Sequence, residues 1–325
     1  AVEQRIEKGE QTILFLNRRG YSSALKCSDC GHFPQCPSCK VGLTFHKAGL
    51  KLVCHYCGFM RGKYDLCESC GSHSLLYPGA GTQRVEEAVP RLFPGVSTIR
   101  LDSDSASGRE NAHRILDSFA RRQHQILLGT QMVTKGLDMR EVSLVGVLSA
   151  DLGAELPDFR SAERTFARLL QVAGRSGRAE KKGEVIIQTY SPESPHIVDA
   201  ANQDYETFFA REIESRRDSD YPPFARLINV TLAAPDAEKL EETTLQFAAS
   251  VREEIASTGL RASVLGPAPC PIHHVKRLYR RHLLIKTTQI SRCVQMLTLW
   301  EQRESRFKLP ATVKLTVDVD PYDMM

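Results

Sequence analysis

The sequence predicts three structural parts: a domain of α/β class with a mostly parallel sheet, a cysteine-rich module inserted into it, and a second domain of α+β class. Strand-like and helix-like segments alternate from the start of the chain to about residue 192. Eight cysteines, arranged as four C-x-x-C pairs, fall within 44 residues. Beyond residue 222 the segments follow the order β-α-β-β-α-β, which is the ferredoxin-like arrangement.

The first domain is predicted from short apolar segments that alternate with longer helical ones. Such alternation favours a parallel sheet with helices on both faces. We place this domain at residues 1–25 and 74–192, interrupted by the module at 26–73. The predicted strands are 12–16, 97–101, 125–129, 142–148 and 184–190. The predicted helices are 83–91, 108–122 and 161–172.

A boundary to the second domain is indicated by the run Asp-Ser-Asp-Tyr-Pro-Pro at 218–223. The preceding residues, 193–222, form a helical connector, and the ferredoxin-like domain occupies 223–325. Its predicted strands are 226–232, 262–265, 278–286 and 313–319, and its predicted helices are 236–257 and 290–303.

The composition is that of an ordinary globular protein, with 42% hydrophobic and 25% charged residues. The longest apolar runs, such as Val142–Leu148, are far shorter than a membrane span, so we expect no membrane partner. The net charge of +4 permits nucleic-acid binding without arguing for it. The chain opens at Ala1 inside a predicted helix, which we interpret as the continuation of something longer.

The four cysteine pairs predict two structural zinc sites, because a C-x-x-C turn directs two thiolates at one centre and tetrahedral zinc takes four. The alternative is a disulfide framework, which a chain of 325 residues with a sizeable core does not need. No secretory signal precedes the pairs. Reduced, metal-bound thiols predict a cytoplasmic protein. The pairs are Cys27 and Cys30, Cys36 and Cys39, Cys54 and Cys57, and Cys67 and Cys70.

The residues between the second and third pairs favour a nested grouping of the thiols. Leu43 and Phe45 can oppose Leu50 and Leu52 across a turn at 46–49, a β-hairpin of zinc-ribbon type. This hairpin brings the inner two pairs together and leaves the outer two to close around them. The sequential alternative has only residues 31–35 between its first two pairs. Nearby histidines are expected to be bystanders, namely His32, His46, His55 and His73.

Two arginines three residues apart, Arg175 and Arg178, follow the predicted helix ending near Gln171. Guanidinium groups beside Gly174 and Gly177 suit triphosphate oxygens. The alternative is a helix C-terminus whose arginines offset the helix dipole. A second segment, Gly-Thr-Gln-Met-Val-Thr-Lys-Gly-Leu-Asp at 129–138, follows a buried strand, where α/β sheets place ligand loops.

Together these two segments resemble motifs V and VI of superfamily 2 helicases. Further segments agree in order and spacing with one family, the replication-restart helicases called primosomal protein N′. They are Phe-Leu-Asn-Arg-Arg-Gly-Tyr at 15–21, the eight-cysteine insertion, Asp-Leu-Gly at 151–153, Leu-Pro-Asp-Phe-Arg-Ser-Ala-Glu-Arg at 156–164 and Val-Asp-Val-Asp-Pro at 317–321. The resemblance covers essentially the whole chain.

The resemblance implies an ATP-dependent helicase that unwinds DNA 3′-to-5′ at abandoned forks and reloads the replisome through primosome proteins. The first domain corresponds to the second, RecA-like helicase lobe of that family. Arg175 and Arg178 are implied to contact ATP, and Gln171 to link that site to DNA. Nucleotide coupling is implied for Thr130, Gly136 and Asp138. The family's zinc pairing is the nested one.

One departure from the family concerns the phosphate loop. The sequence contains neither a G-x-x-x-x-G-K-[ST] segment nor the acidic Mg²⁺-binding motif, both of which belong to the first helicase lobe. We therefore expect ATP and Mg²⁺ to bind only together with that lobe. By itself the chain is expected to bind DNA and partners without turning over ATP.

In the second domain, a basic cluster around one tyrosine suits a phosphate backbone and one stacked base. It comprises Lys276, Arg277, Tyr279, Arg280 and Arg281. The alternative is a charged edge strand that discourages aggregation. The family implies that this domain binds forked and single-stranded DNA and the single-strand-binding protein, whose acidic tail Arg292 could help receive.

Two other functions compete with the helicase interpretation. A stand-alone zinc adaptor for nucleic acid or protein leaves the helicase-like segments unexplained. A chaperone or thiol oxidoreductase would be typical of C-x-x-C-x-G-x-G repeats, but here the second glycine is missing after Gly31, Gly58 and Gly71.

Overall fold

The computed structural model describes residues 1–16, 25–46, 49–76, 88–101, 109–129, 142–154, 156–174, 183–301 and 307–324. The chain divides into two compact units. Unit 1 comprises Ala1–His32, Asp65–Leu156 and Arg160–Phe209, and unit 2 comprises Phe33–Tyr64, Pro157–Phe159 and Ala210–Met325. The cysteine-rich stretch is thereby shared between the units, and the domain limits drawn from the sequence stay predictions.

The elements are numbered in chain order. The strands are β1 (Gln11–Leu16), β2 (Lys26–Cys27), β3 (Thr44–His46), β4 (Lys51–Val53), β5 (Met60–Gly62), β6 (Leu75–Leu76), β7 (Thr98–Leu101), β8 (Ile126–Gly129), β9 (Val142–Leu148), β10 (Glu184–Ile187), β11 (Arg226–Ala234), β12 (Ala262–Val275), β13 (Leu278–Thr287) and β14 (Lys314–Val319). The helices are α1 (Val2–Glu7), α2 (Arg109–Ala120), α3 (Ser161–Ala173), α4 (Pro195–Asn202), α5 (Tyr205–Asp218), α6 (Ala237–Thr258) and α7 (Ile290–Glu301), with a 3₁₀ turn at Ala150–Gly153.

Unit 1 is built on a five-stranded parallel sheet of order β10-β9-β1-β8-β7. The central strand β1 is buried at every residue, as expected for a parallel strand with both faces covered. Ile13 and Phe15 pack with Phe119 and Phe166 on one face, whereas Leu14 packs with a separate apolar cluster on the other. The predicted α/β class and the existence of its five strands are confirmed.

The last strand of this sheet is shorter than the sequence predicts. It ends at Ile187 rather than at residue 190, because the following polar groups turn to Asp151. The Thr189 hydroxyl and the Tyr190 amide both donate to the Asp151 carboxylate, at 2.5 and 3.0 Å. A side-chain acceptor therefore replaces the strand ladder at this point.

Unit 2 contains a four-stranded antiparallel sheet of order β12-β13-β11-β14. This is the strand order of the split βαβ fold, so the predicted ferredoxin-like class is confirmed. Helices α6 and α7 supply the apolar residues that pack on one face. Phe247 on α6 is fully buried and meets Trp300 on α7 edge-to-face, with ring centroids 5.1 Å apart.

The strand β12 is longer than predicted, since it runs to Val275 rather than ending at residue 265. Pro267, Pro269 and Pro271 suggest a strand end, but β12 lies at an edge of the sheet, where a missing amide hydrogen is tolerated. Its pairing with β13 is irregular across this stretch. A two-residue turn, Lys276 and Arg277 with φ of 49° and 65°, joins β12 to β13 in the manner of a type I′ hairpin.

Candidate metal centres

All four C-x-x-C pairs adopt the same backbone turn. In each, the amide after the second cysteine donates to the carbonyl of the first, at 2.8–3.0 Å. The amide of the first cysteine donates in turn to the carbonyl five residues later, at 2.7–2.9 Å. These bonds hold both thiols of a pair on one side of the turn, so that they face a common centre.

The residue after each pair has a left-handed backbone conformation. Three of these positions are glycine, with φ of 69° at Gly31, 79° at Gly58 and 72° at Gly71. The fourth is Lys40, with φ of 57°, a conformation that costs a side-chain-bearing residue roughly 1–2 kcal/mol. The same turn thus forms at Lys40 without glycine. The requirement to place both thiols on one side of the turn therefore outweighs the backbone preference of lysine against a positive φ.

The eight thiols form two clusters, and within each cluster all sulfur atoms lie within 4.8 Å of one another. The grouping is the nested one. We call Cys27, Cys30, Cys67 and Cys70 the outer site, and Cys36, Cys39, Cys54 and Cys57 the inner site.

The sulfur spacing fits zinc rather than disulfides. Cross-pair Sγ–Sγ distances are 3.7 Å for Cys27 and Cys70 and 3.6 Å for Cys36 and Cys57. A tetrahedral ion with Zn–S bonds of about 2.3 Å sets its sulfurs about 3.8 Å apart, whereas a disulfide needs about 2.05 Å. The ten cysteines are free thiols. Two clusters of four cysteines, spaced in this way, are compatible with two zinc ions.

The outer site belongs to unit 1 and is anchored there by a buried ion pair. The Lys26 ammonium, next to Cys27, lies 3.2 Å from the Asp151 carboxylate, and both side chains are about 5% exposed or less. Asp151 also accepts the bonds from Thr189 and Tyr190. The first thiol turn is therefore fixed to the end of the parallel sheet.

A second anchor lies on the other side of that turn. The Ser191 hydroxyl donates to the Gly31 carbonyl at 3.1 Å. A Cβ at Gly31 would lie 1.8 Å from the Ser191 oxygen, so only glycine fits. This position combines a left-handed φ with a close approach, and both exclude a side chain.

The inner site belongs to unit 2 and includes the predicted hairpin. Strands β3 and β4 pair antiparallel with Phe45 opposite Leu52, as the alternation predicts. A third strand, β5, pairs with β4 and was not predicted, since its sequence of Met-Arg-Gly lacks alternation.

This hairpin module packs on the ferredoxin-like sheet of the same unit. Tyr56 and His55, which separate Cys54 from Cys57, are both fully buried. The His55 Nδ1 donates to the Pro269 carbonyl at 2.8 Å, and a Cβ at Gly58 would lie 2.9 Å from the Pro267 carbonyl. Strand β12 therefore contacts the second inner turn directly.

The strand β13 explains why the module is held there. Its residues 282–287 are all buried, although an antiparallel sheet often leaves one face in water. Leu283 and Ile285 face the helices. The alternate residues point the other way: the His282 Nε2 donates to the His55 carbonyl, and Lys286 lies over the Tyr221 ring.

Tyr221 connects the inner site to the chain before the sheet. Its hydroxyl donates to the Cys39 carbonyl at 2.9 Å, and the Lys286 ammonium lies 3.7 Å from its ring centroid. The ring stacks on Phe159 with a centroid distance of 4.7 Å, and the Phe159 amide donates to the Tyr56 hydroxyl. Burial raises the pKa of Tyr221, so the hydroxyl stays protonated as a donor.

The buried histidines of unit 2 are neutral. Burial lowers the pKa of His55 to about 4 and that of His282 to about 4. His55 uses its Nδ1–H for Pro269 and accepts at Nε2 from His46, 3.3 Å away. His282 Nδ1 lies 2.8 Å from the Asn229 side-chain amide. Within the described residues, neither cysteine cluster includes a histidine.

Most of the helicase-like residues lie outside the described part of the chain. These are Arg175, Arg178, Thr130, Gly136 and Asp138. Gln171 lies in the last turn of α3 and is exposed.

The basic cluster at 276–281 is not a continuous surface along one strand. Lys276 and Arg277 are exposed in the hairpin turn, and Tyr279 is exposed beside the His274 ring, 4.7 Å between centroids. Strand alternation sends Arg280 and Arg281 to opposite faces. Arg281 forms an ion pair with Glu241 on α6 at 3.2 Å.

Several residues that hold the metal centres were missed by sequence reasoning, namely Lys26, Tyr56, Asp151, Tyr221, His282 and Lys286. The inner pairs enclose Pro-Ser and His-Tyr, whereas the outer pairs enclose Ser-Asp and Glu-Ser. The residues between the cysteines of each pair are therefore uncharged in the buried inner site and include an acidic residue in the more exposed outer site. This difference could have identified the buried site from the sequence.

Three family models match separate stretches of the chain. Residues 77–180 match the helicase conserved C-terminal domain, 36–61 the PriA DNA helicase Cys-rich region domain, and 217–322 the primosomal protein N C-terminal domain. The replication restart protein PriA of Bacillus subtilis strain 168 is 44% identical over 328 residues, covering 100% of this chain. The chain belongs to the PriA family.

Other PriA relatives match over a similar extent. The protein of Chlamydia muridarum is 41% identical and covers 99% of this chain. The chain spans only 40% and 42% of the lengths of these two relatives. Among solved structures, the C-terminal domain of the DEAD-box protein Dbp5 gives a TM-score of 0.31 at 16% identity, over 63% of this chain and 80% of that one.

Of the helices in the described ranges, none combines the length and apolar composition needed to cross a bilayer.

The buried pair of the outer site gives a first prediction. Lys26→Met leaves the Asp151 carboxylate buried without its cation and is expected to destabilise the protein by about 3–5 kcal/mol. Denaturant unfolding of the zinc-loaded protein measures this. The control is Arg226→Met, which removes an ion pair with Asp320 whose side chains are 51% and 41% exposed. It should leave stability almost unchanged. A Lys26→Met variant no less stable than this control would contradict the anchoring role.

Neutral burial of His282 gives a prediction for pH dependence. Its pKa is about 4 in the folded protein against an ordinary value of 6.5, so the unfolded chain binds a proton first as the pH falls. Its contribution to stability is complete above pH 6.5 and is lost between about 6.5 and 4, by up to about 3 kcal/mol. His282→Gln should flatten the stability profile in this window, whereas the exposed His274→Gln should not. Unfolding is measured together with zinc content at each pH, and equal profiles for the two variants would refute the assignment.

Proposed function

We propose that this chain provides the second RecA-like lobe, the zinc-binding region and the C-terminal domain of an ATP-dependent DNA helicase that restarts replication at abandoned forks and initiates primosome assembly. The observation that carries the proposal is the 44% identity to a replication restart protein over all of this chain. The proposed polarity, 3′-to-5′, comes from the family resemblance alone, and the proposed cytoplasmic location comes from the reduced, metal-bound thiols.

In this proposal, Arg175 and Arg178 contact the triphosphate from the second lobe, and Gln171 links that site to DNA. Thr130, Gly136 and Asp138 couple the nucleotide state to movement. The sequence has no phosphate loop of its own. In this proposal the two arginines therefore act on a triphosphate that the first lobe binds. ATP and Mg²⁺ therefore require the first lobe.

The two cysteine clusters are proposed to hold one structural zinc ion each, with four thiolates and no open position. Closed sites of this type contribute on the order of 10–16 kcal/mol to folding and do not activate water. The cysteine-rich region is thus proposed to have a structural role, in which it forms binding surfaces for DNA or protein. The alternative function, a zinc-dependent adaptor for nucleic acid or protein, would use the region in the same way.

The exposed tip of the β12–β13 hairpin is the proposed DNA contact of the C-terminal domain. Lys276 and Arg277 extend from the turn, and Tyr279 offers an exposed ring beside His274. Phosphates suit the two cations, and a base suits the ring. Arg280 and Arg281, which follow Tyr279 on β13, are proposed as secondary contacts to DNA.

The proposed protein partners are the single-strand-binding protein and other primosome proteins. An acidic tail of the former could meet Arg292, which lies near the start of α7 and donates to the Thr258 carbonyl at 3.1 Å.

The proposal predicts that the chain alone does not turn over ATP. Steady-state phosphate release should stay at background with single-stranded DNA present, because no residues of this chain bind the phosphates from the first lobe's side. Adding the first lobe as a separate chain should restore turnover, and Arg178→Ala should abolish that restoration. Turnover by the chain alone would overturn this part of the proposal.

The hairpin proposal predicts a salt-dependent DNA contact. Arg277→Gln should weaken binding to a single-stranded oligonucleotide and lower the slope of log Kd against log salt by about 0.7. Fluorescence anisotropy across a salt series measures both quantities. The control Lys239→Gln removes another exposed charge, which lies on α6. Equal effects of the two variants would show that net charge, rather than the hairpin, attracts DNA.

A further inference from the structure

The two cysteine clusters differ in how exposed their cysteine residues are. In the outer site Cys30 and Cys70 are exposed, whereas Cys27 and Cys67 are buried. In the inner site three cysteines are buried and Cys57 is half-buried. The second thiol of each outer pair is thus accessible to a small reagent.

The coverings of the two sites explain this difference. The inner site is covered within unit 2 by Tyr56 and His55, both fully buried, and by Tyr221 at the Cys39 carbonyl. Backbone amide bonds to sulfur occur in both sites, at Cys36, Cys54 and Cys57 in the inner site and at Cys67 and Cys70 in the outer site. The two sites therefore differ in how they are covered and not in these bonds.

The outer pairs instead enclose polar and acidic residues. Asp29 lies between Cys27 and Cys30 and accepts a bond from the Ser72 hydroxyl at 2.5 Å. Glu68 lies between Cys67 and Cys70. This negative charge disfavours the approach of anionic reagents and leaves neutral ones unaffected.

We propose that the outer site is a modification site for small neutral two-electron oxidants of the hypochlorous acid class, which release its zinc while the inner site stays intact. The inference rests on the zinc occupancy proposed above. Reactivity follows thiolate character and access. Zinc binding makes every sulfur of both sites a thiolate, so access decides, and it is greatest at Cys30 and Cys70.

The chemistry balances within one site. An exposed thiolate attacks the chlorine of hypochlorous acid, forming a sulfur–chlorine bond and releasing hydroxide. A second thiolate of the same site attacks that sulfur and expels chloride, which forms a disulfide. Two sulfurs lose one electron each and chlorine gains two. The two thiolates that remain would no longer suffice to hold a zinc ion at the outer site.

Loss of the outer zinc has a local structural consequence. The turn carrying Cys67 and Cys70 is joined to the first turn by two β2–β6 residue pairs. A few short polar contacts add to them, from Ser28 to the Ser74 carbonyl and from the Ser72 hydroxyl to Asp29. The first turn keeps its own anchors at Asp151 and Ser191. We therefore expect the residues around 65–74 to lose their fixed position while the parallel sheet remains folded.

The experiment uses the full chain, reduced and loaded with zinc, with metal content measured first. Hypochlorous acid is added in substoichiometric steps in amine-free buffer, with a chelating dye reporting free zinc and mass spectrometry mapping disulfides. The expected result is release of one zinc per chain at least about tenfold faster than the second. The first disulfides should join only Cys27, Cys30, Cys67 and Cys70.

Two variants sharpen the test. Cys270→Ala with Cys293→Ala removes the two buried thiols outside the sites and should leave the fast phase unchanged. Cys30→His with Cys70→His gives the outer site two thiolates and two imidazoles, a ligand set that zinc also accepts, and it should remove the fast phase. If that variant binds zinc poorly, the disulfide map of the unaltered chain still shows whether the outer-site cysteines are oxidised first.

The outcomes separate the two proposals. Fewer than two zinc ions per chain at the start would overturn the proposed zinc occupancy itself. Two ions released together, or inner disulfides formed first, would leave that occupancy standing and overturn the inference.

Discussion

The structure of the cysteine-rich region depends on one backbone turn, repeated four times. Each turn places two thiols on one side only if the following residue adopts a left-handed conformation, and the chain accepts this even at Lys40. Four thiolates within reach of one ion then become a single cross-link between distant residues. Without that cross-link the short strands β3 to β6, two or three residues each, have too few hydrogen bonds to persist.

The two centres use different means to stay in place. The outer one is tied to a parallel sheet by charge, through Lys26 and Asp151. The inner one is tied to an antiparallel sheet by burial and by hydrogen bonds from Tyr221 and His282. A buried ion pair orients strongly but is costly to break, whereas an aromatic and imidazole surface covers thiolates from water. The same metal, zinc, is proposed for both sites, so the two sites differ only in the residues that surround them.

Much of the fold was predictable because it follows local periodicity. The strand Val142–Leu148 and the order of elements in the second domain appear in the structure as predicted. The nested thiol grouping followed from the Phe45 and Leu52 pairing. What failed was non-local: β12 continues past three prolines only because it is an edge strand, and β10 ends early only because Asp151 takes its hydrogen bonds. The supports of the inner site come from residues 221 to 286, far from its cysteines, and no local pattern marks them.

The hydrogen bond between His282 and the His55 carbonyl spans 227 residues of sequence. During synthesis at about 5–20 residues per second, the inner thiol turns leave the ribosome roughly 10–45 s before the strand that covers them. The order of translation therefore exposes a complete set of inner ligands to the cell's metal pool well before their shelter exists. With the zinc occupancy proposed above, the inner site can bind its ion while the chain is still being synthesised, before the strand β13 that covers it exists.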